Sequence, residues 1–292
     1  MGAPLVAIIG FAGTLLGIHG ARRDHRGVVT TPHRAFAWTL AAVLMLVVPD
    51  GRAIAVAAYA PMFLLGAPFD WPPGSFWQEV TWPIWNQYLC VLGGALWAST
   101  ALGYSRRAAG RCVRCGRDPL ASEACTRTIA LRLGRQAVAV AMIAPLPYAA
   151  TRLAWAFGIP VGMPADVLTA IRESGSAFPA AGLAAVAMVG ALLTLGLVQP
   201  WGEAFPAWVP RLGGRRLPPA IAVVPAGIVA VLVFGAGRGV ARDWIEARLR
   251  GDAGSAMDLV GLVWPVWGLA LGVAAWAYHI RRRRRCRACG GG

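Results

Sequence analysis

Long apolar runs separated by short polar segments organise this chain of 292 residues. A bilayer core takes about 20 helical residues to cross. On that measure the runs predict helices at 3 to 18, 35 to 48, 53 to 67, 82 to 103, 136 to 158, 179 to 198, 220 to 237 and 259 to 280. A secretory signal would give one short run and then a soluble composition, so the repetition excludes it. The second and third runs are short, and only the turn signature Pro49-Asp50-Gly51-Arg52 separates them. They fit two short spans, a re-entrant hairpin or one broken span. The expected fold class is all-α: a polytopic transmembrane helical bundle of about eight spans, with seven as the alternative.

Composition agrees, since 57% hydrophobic and 14% charged residues leave too little polar surface to clothe soluble domains. The net charge of +15 would point to nucleic acid in a soluble protein, but here the charge sits in loops. No nucleic-acid partner is expected. All 28 cations are arginine, which with the richness in alanine, glycine and proline reads as the bias of a GC-rich genome.

Cytoplasmic loops carry the excess of positive charge. Residues 104 to 135 hold eight arginines against Asp118 and Glu123, and the tail after His279 holds Arg281 to Arg285 and Arg287. Both belong inside a bacterial cell membrane, with the C-terminus cytoplasmic. Residues 159 to 178 and 238 to 258 are nearly neutral and belong outside. Val240, Trp244 and Leu249 share one face of a short amphipathic helix at 239 to 250, suited to lying on the membrane surface. Leu197 to Pro210 reads as an interfacial re-entry anchored by tryptophans.

Eight spans leave one strain. They put residues 19 to 34 outside despite Arg22, Arg23, Arg26 and Arg34. Placing that loop inside requires residues 35 to 67 to cross once, and a straight helix of that length would reach about 50 Å across a core of about 30 Å. The first run begins almost at the initiator with no flanking charge, so the start could also lie inside a longer natural protein.

A weak repeat suggests a four-plus-four parallel arrangement, with halves related by an axis along the membrane normal. Trp82-Pro83-Ile84-Trp85 and Trp264-Pro265-Val266-Trp267 each open a helix that runs through a tyrosine into arginines and a C-x-x-C-G element. The elements are Cys112 to Gly116 and Cys286 to Gly290. Residues 1 to 118 form a first membrane half ending in C-x-x-C, 119 to 135 a cytoplasmic linker, and 136 to 292 a second half ending in a C-x-x-C tail.

The two cysteine pairs are the most specific chemical signal. Two intervening residues let both thiolates reach one metal from a tight turn, and a following glycine permits the backbone such a knuckle needs. Cys112, Cys115, Cys286 and Cys289 together could make a closed, all-thiolate zinc site, structural in kind. A redox role and four unrelated cysteines are the alternatives; a reducing cytoplasm disfavours permanent disulfides.

Arg152 lies well inside a predicted span, close enough to the outer end to snorkel. Glu79, Asp70, Asp166 and Glu173 fall on the same side, with Asn86 and Gln87 at comparable depth, so these groups could line an outward vestibule. A snorkelled arginine paired with a carboxylate is the plainer reading. Pro145 and Pro147 bend the same helix and free backbone carbonyls. His19, His25 and His33, with Asp24, share a polar loop whose spacing fits no familiar metal pattern. No nucleotide-binding loop, HExxH, G-x-S-x-G or paired intramembrane acids occur, so catalysis has little to stand on.

Val48-Pro49-Asp50, Ala58-Tyr59-Ala60-Pro61, the stretch Gly66 to Gly74, Trp82-Pro83-x-x-Asn86-Gln87 and Leu212 to Pro218 resemble uncharacterised multi-spanning membrane proteins of GC-rich actinobacteria. The resemblance touches most of the chain. It implies a membrane location and terminal C-x-x-C-G elements, no established activity, and additional helices before the present start.

The function expected first is movement or sensing of a small or lipidic solute, with Arg152, Glu79, Asn86, Gln87 and Asp166 as its binding groups. The second is a membrane scaffold or regulator whose zinc-stapled, arginine-rich cytoplasmic face docks a protein or anionic lipid. The third is an enzyme acting on a lipid. A solvated cavity at Arg152 would favour the first, and four converged sulfurs over a solid bundle the second.

Overall fold

The computed structural model describes residues 31–66, 68, 76–173, 177–205, 207, 209–211, 213–252, 256–283 and 285–290. The expected helix at 3 to 18 lies outside these residues, as do His19, Asp24, His25 and Asp70. Regular structure among them is helical: α1 (Thr31–Ala42), α2 (Gly51–Gly66), the short α3 (Phe76–Glu79), α4 (Trp82–Ala108), α5 (Glu123–Ile143), α6 (Leu146–Ala156), α7 (Ala165–Glu173), α8 (Ala177–Leu195), α9 (Pro219–Leu249), α10 (Ala256–Gly261) and α11 (Trp264–Arg281). A π-helical turn, Val43–Val47, prolongs α1, and a 3-10 turn, Pro200–Glu203, follows α8.

Among the described residues, three helical stretches are long and apolar enough to cross a membrane: Glu123–Ala156, Pro219–Leu249 and Asp258–Arg281. The pair Thr31–Val47 and Gly51–Leu64, bent by 63°, makes a fourth if counted as one span. The eight apolar runs thus do not become eight such helices, and the reasons are local. Helix α4 has 27 residues, but Asn86, Gln87, Ser99 and Thr100 lower its hydropathy. The apolar part of α8, Pro179–Leu195, falls short of the length a straight span uses.

The core is built on α11, which packs against α5 on one side and α9 on the other. Ala137, Val138 and Ala141 of α5, Ala230 of α9, and Leu271, Ala274 and Tyr278 of α11 bury one another together with Leu197. Small residues set the spacing: a Cβ added at Gly134 would stand 3.1 Å from that of Ala277, and one at Gly268 would stand 2.6 Å from the Ala230 carbonyl oxygen. Such close approach is what remains to drive helix association where the solvent is as apolar as the side chains. The register is antiparallel throughout, with Gly134 opposite Ala277 and the Tyr148 ring edge-on to Trp264 at the other end. The cysteine-bearing end of α11 therefore meets the start of α5.

Helix α1 runs antiparallel to α4. The Trp38 indole donates to Ser105 Oγ at 3.1 Å, and Gly94 sits against Met45 and Ala41. Pro49 lacks an amide proton, so the ladder stops there, and the chain restarts at Gly51 in a new direction. Two distant side chains satisfy the exposed backbone. Arg238 of α9 donates to the carbonyls of Leu46 (3.2 Å), Val47 (2.7 Å) and Pro49 (3.3 Å), while Gln87 Oε1 accepts the Asp50 amide at 3.0 Å. Helix α2 then crosses from Tyr88, whose hydroxyl donates to the Ala53 carbonyl at 2.7 Å, to Gly182 of α8, which abuts Met62. This arrangement differs from the eight-span expectation. The turn at 49 to 52 lies at the Gln87 end of α4, away from the cysteines, and Arg34, one turn before Trp38, lies towards the Ser105 end.

Two boundaries also move. Ser122 caps α5 by accepting the Cys125 amide, so residues 123 to 135, read as linker, are helix. Helix α9 absorbs the surface helix expected at 239 to 250. Its 31 residues reach about 46 Å, well beyond the core thickness.

Candidate metal centre and its arginine collar

Two turns of the same construction follow α4 and α11. In the first, the Gly116 amide donates to the Cys112 carbonyl at 2.7 Å; in the second, Gly290 donates to Cys286 at 2.8 Å. Both glycines have φ of 69°, a left-handed conformation that other residues adopt at a cost. The Cys112 amide also donates to the Arg117 carbonyl at 3.0 Å, closing the first knuckle. The sequence expectation that glycine follows each pair for conformational reasons holds at both.

The knuckles face each other. Cys112 Sγ lies 3.9 Å from Cys286 Sγ and Cys115 Sγ 3.6 Å from Cys289 Sγ, and all four sulfurs lie within 4.8 Å of one another. Four sulfurs about 2.3 Å from one tetrahedral zinc would be about 3.8 Å apart. The contacts are too long for disulfides, and all four cysteines are free. The donor set fits a closed tetrahedral ion. Backbone amides aimed at the sulfurs favour thiolate: those of Ala288 and Cys289 hold the Cys286 thiol at about 6, and the Cys115 amide leads the lowering at Cys112.

Arginines fasten the knuckles to the bundle. Arg106 at the end of α4 donates to the carbonyls of Val113 (3.0 Å) and Arg114 (3.4 Å). Arg283 donates to the Cys115 carbonyl at 2.9 Å and lies 3.9 Å from Glu123, which also pairs with the buried Arg117. Immediately before Arg283 in the chain, Arg281 and Arg282 converge on Glu203 at 3.4 and 3.1 Å. Arg281 also donates to the Leu197 carbonyl (2.8 Å), and Arg282 to those of Glu203 and Leu217, both at 3.0 Å. The Tyr278 hydroxyl donates to the Gly202 carbonyl at 2.8 Å. The segment read as an interfacial re-entry therefore receives the end of α11. Glu203 and Glu123 were missed as site residues. The available signal was their rarity, since with Asp118 they are the acids among residues 104 to 135 and 199 to 219.

No hydrogen bond or ion pair among the described residues joins Arg152 to Asn86, Gln87 or Asp166. The Arg152 guanidinium stacks on Tyr148 and Trp155, with ring centroids 4.9 and 4.4 Å away, and its buried Nε has no acceptor. Among the described residues no carboxylate pairs with it. Gln87 is used on the Asp50 amide, Asp166 is exposed in the first turn of α7, Asn86 is half-buried on α4, and the side chain of Glu79 lies outside the described set. His33 is exposed on α1.

Compared with known protein families, curated proteins and solved structures, the chain matches none.

Proposed function

We propose that this chain is a multi-pass bacterial cell-membrane protein in which Cys112, Cys115, Cys286 and Cys289 hold one structural zinc ion on the cytoplasmic face, and that it works as a scaffold or regulator. The carrying observation is the convergence of the four sulfurs within 4.8 Å from two knuckles of one construction. Four protein thiolates leave no open coordination position, so the ion would join elements and not act on a substrate. Counting 31 to 66 as one crossing supports the sidedness. Arg34 then falls with the arginines at 106 to 135, 211 to 216 and 281 to 287, as the positive-inside rule requires. The resemblance to actinobacterial membrane proteins belongs to the same proposal.

Metal analysis of the detergent-purified full chain tests it. One zinc per chain is expected in the wild type and close to none in Cys112→Ser and Cys286→Ser. Equal content in wild type and variants would overturn the four-cysteine site.

One observation favours solute sensing or transport as a second reading: the buried Arg152 Nε that lacks an acceptor. A guanidinium kept for an anionic solute burdens the resting fold. Arg152→Met is then expected to raise the melting temperature of the purified protein. A fall would mean that stacking on Tyr148 and Trp155 is its purpose, and this reading would be dropped.

A further inference from the structure

Beside the cysteine centre, where α5, α9 and α11 meet, lies a cleft of about 470 Å³. Arg127, Arg216, Arg281, Arg282 and Arg283 line it against Glu203 alone, with Thr128, Leu131 and Pro219 completing the wall. Glu203 already binds Arg281 and Arg282, so its charge is spent inside the protein. Arg282 and Arg283 have side chains 15% and 8% exposed, yet each keeps a buried Nε without an acceptor. Five guanidinium groups stand here against Glu203 and the neighbouring Glu123, so the wall keeps an excess of positive charge that an anion would answer. Planar guanidinium groups match phosphate oxygens in geometry as well as charge.

We propose that this cleft binds a phosphate ester, most readily the headgroup of an anionic phospholipid. The size suits a phosphate with its attached substituent. The apolar contributors favour a lipid over a soluble ester: Leu131 and Pro219 form part of the wall, and Ile221 and Val224 stand exposed on α9 just beyond, where an acyl chain would lie. Basic pockets between helices on the cytoplasmic side are where such headgroups bind. The proposal names the partner of the scaffold's basic face, and it rests on reading this end as the cytoplasmic boundary of the membrane. Arg127 and Arg216 are the residues to change, because Arg127 is 48% exposed and 3.7 Å from Glu123, Arg216 is exposed, and neither carries the end of α11.

The test titrates full chain in neutral detergent with cardiolipin, phosphatidylglycerol, phosphatidylcholine, inorganic phosphate and ATP, reading bound ligand by native mass spectrometry. Zinc is counted in the same spectra. The wild type should retain cardiolipin or phosphatidylglycerol over phosphatidylcholine, and Arg127→Ala/Arg216→Ala should weaken that binding about tenfold or more at unchanged zinc content. Preference for ATP, weakened alike, would keep the site and assign it to a soluble phosphate ester, whereas preference for inorganic phosphate over every ester overturns the proposal. Equal retention of all lipids, or equal binding by the double variant, overturns the proposal. If the double variant does not fold, added salt on the wild type decides: binding that ignores salt also overturns it. A wild type without zinc that still selects anionic lipid would remove the metal reading and leave the cleft standing.

Discussion

Glu203→Ala is expected to destabilise the protein by about 3–5 kcal/mol, the usual cost of stranding a buried charge. Arg281 and Arg282 have side chains only 16% and 15% exposed and share this one carboxylate. Without it, two adjacent guanidinium groups stay confined between Leu197, Leu217 and the 3-10 turn with carbonyl dipoles and the Tyr278 ring, but no carboxylate, to face. Reversible unfolding in mixed micelles measures the loss. Glu203→Gln keeps acceptor and shape but removes the charge, so it should fall between wild type and alanine. Asp252→Ala is the control, because its pairing with Arg250 is 64 to 65% exposed and such pairs contribute about 1 kcal/mol or less. If Glu203→Ala matched that control, the ion pairs at the end of α11 would be incidental.

Gly268→Val should be comparably damaging for a steric reason. A Cβ there would lie 2.6 Å from the Ala230 carbonyl oxygen and 2.9 Å from Phe234 Cβ, and neither is the far end of a flexible side chain. Helices α9 and α11 would have to separate. Overpacking costs about 1–3 kcal/mol in a core, and here it also removes the close contact on which the pair depends. The opposite sign is expected at Gly227 on α9, where an added Cβ meets nothing within 4 Å and alanine gains about 0.8–1 kcal/mol of helix propensity. Size-exclusion profiles and melting temperatures of Gly268→Val and Gly227→Ala compare the two. A well-behaved Gly268→Val of wild-type stability would remove the case for close packing at this crossing.

Local periodicity carried most of the helical assignment, and the C-x-x-C-G spacing carried the four-cysteine cluster, because both are written in neighbouring residues. The shared ending of two helices even suggested that the pairs meet. What escaped was long-range. Nothing near Pro49 indicates that Arg238, 189 residues away, takes up its carbonyl, so the turn read as a return across the membrane. Gln87 looked like an outward-facing polar group for the same reason, its partner being the Asp50 amide 37 residues back. The start of α5 was obscured because Arg127, Arg132 and Arg135 depress hydropathy. Its signals were nonetheless present in the Ser122 cap and the i,i+4 pair Glu123–Arg127. Glu203 could be found only by asking which acid answers an arginine cluster.

Cys112 and Cys286 stand 174 residues apart, so a metal held by both knuckles would close the chain between them into a ring. By the chain-entropy relation for a crosslink, a loop of that length takes about 5 kcal/mol of freedom from the unfolded ensemble. The order of events matters too. If the four cysteines share one ion, the first knuckle, which precedes the second in the chain, would hold two ligands and an incomplete shell until α11 is in place. Closure at such a centre would then report that the helices between the two pairs have been placed, and a bound ion would act as a latch on that stretch of the chain.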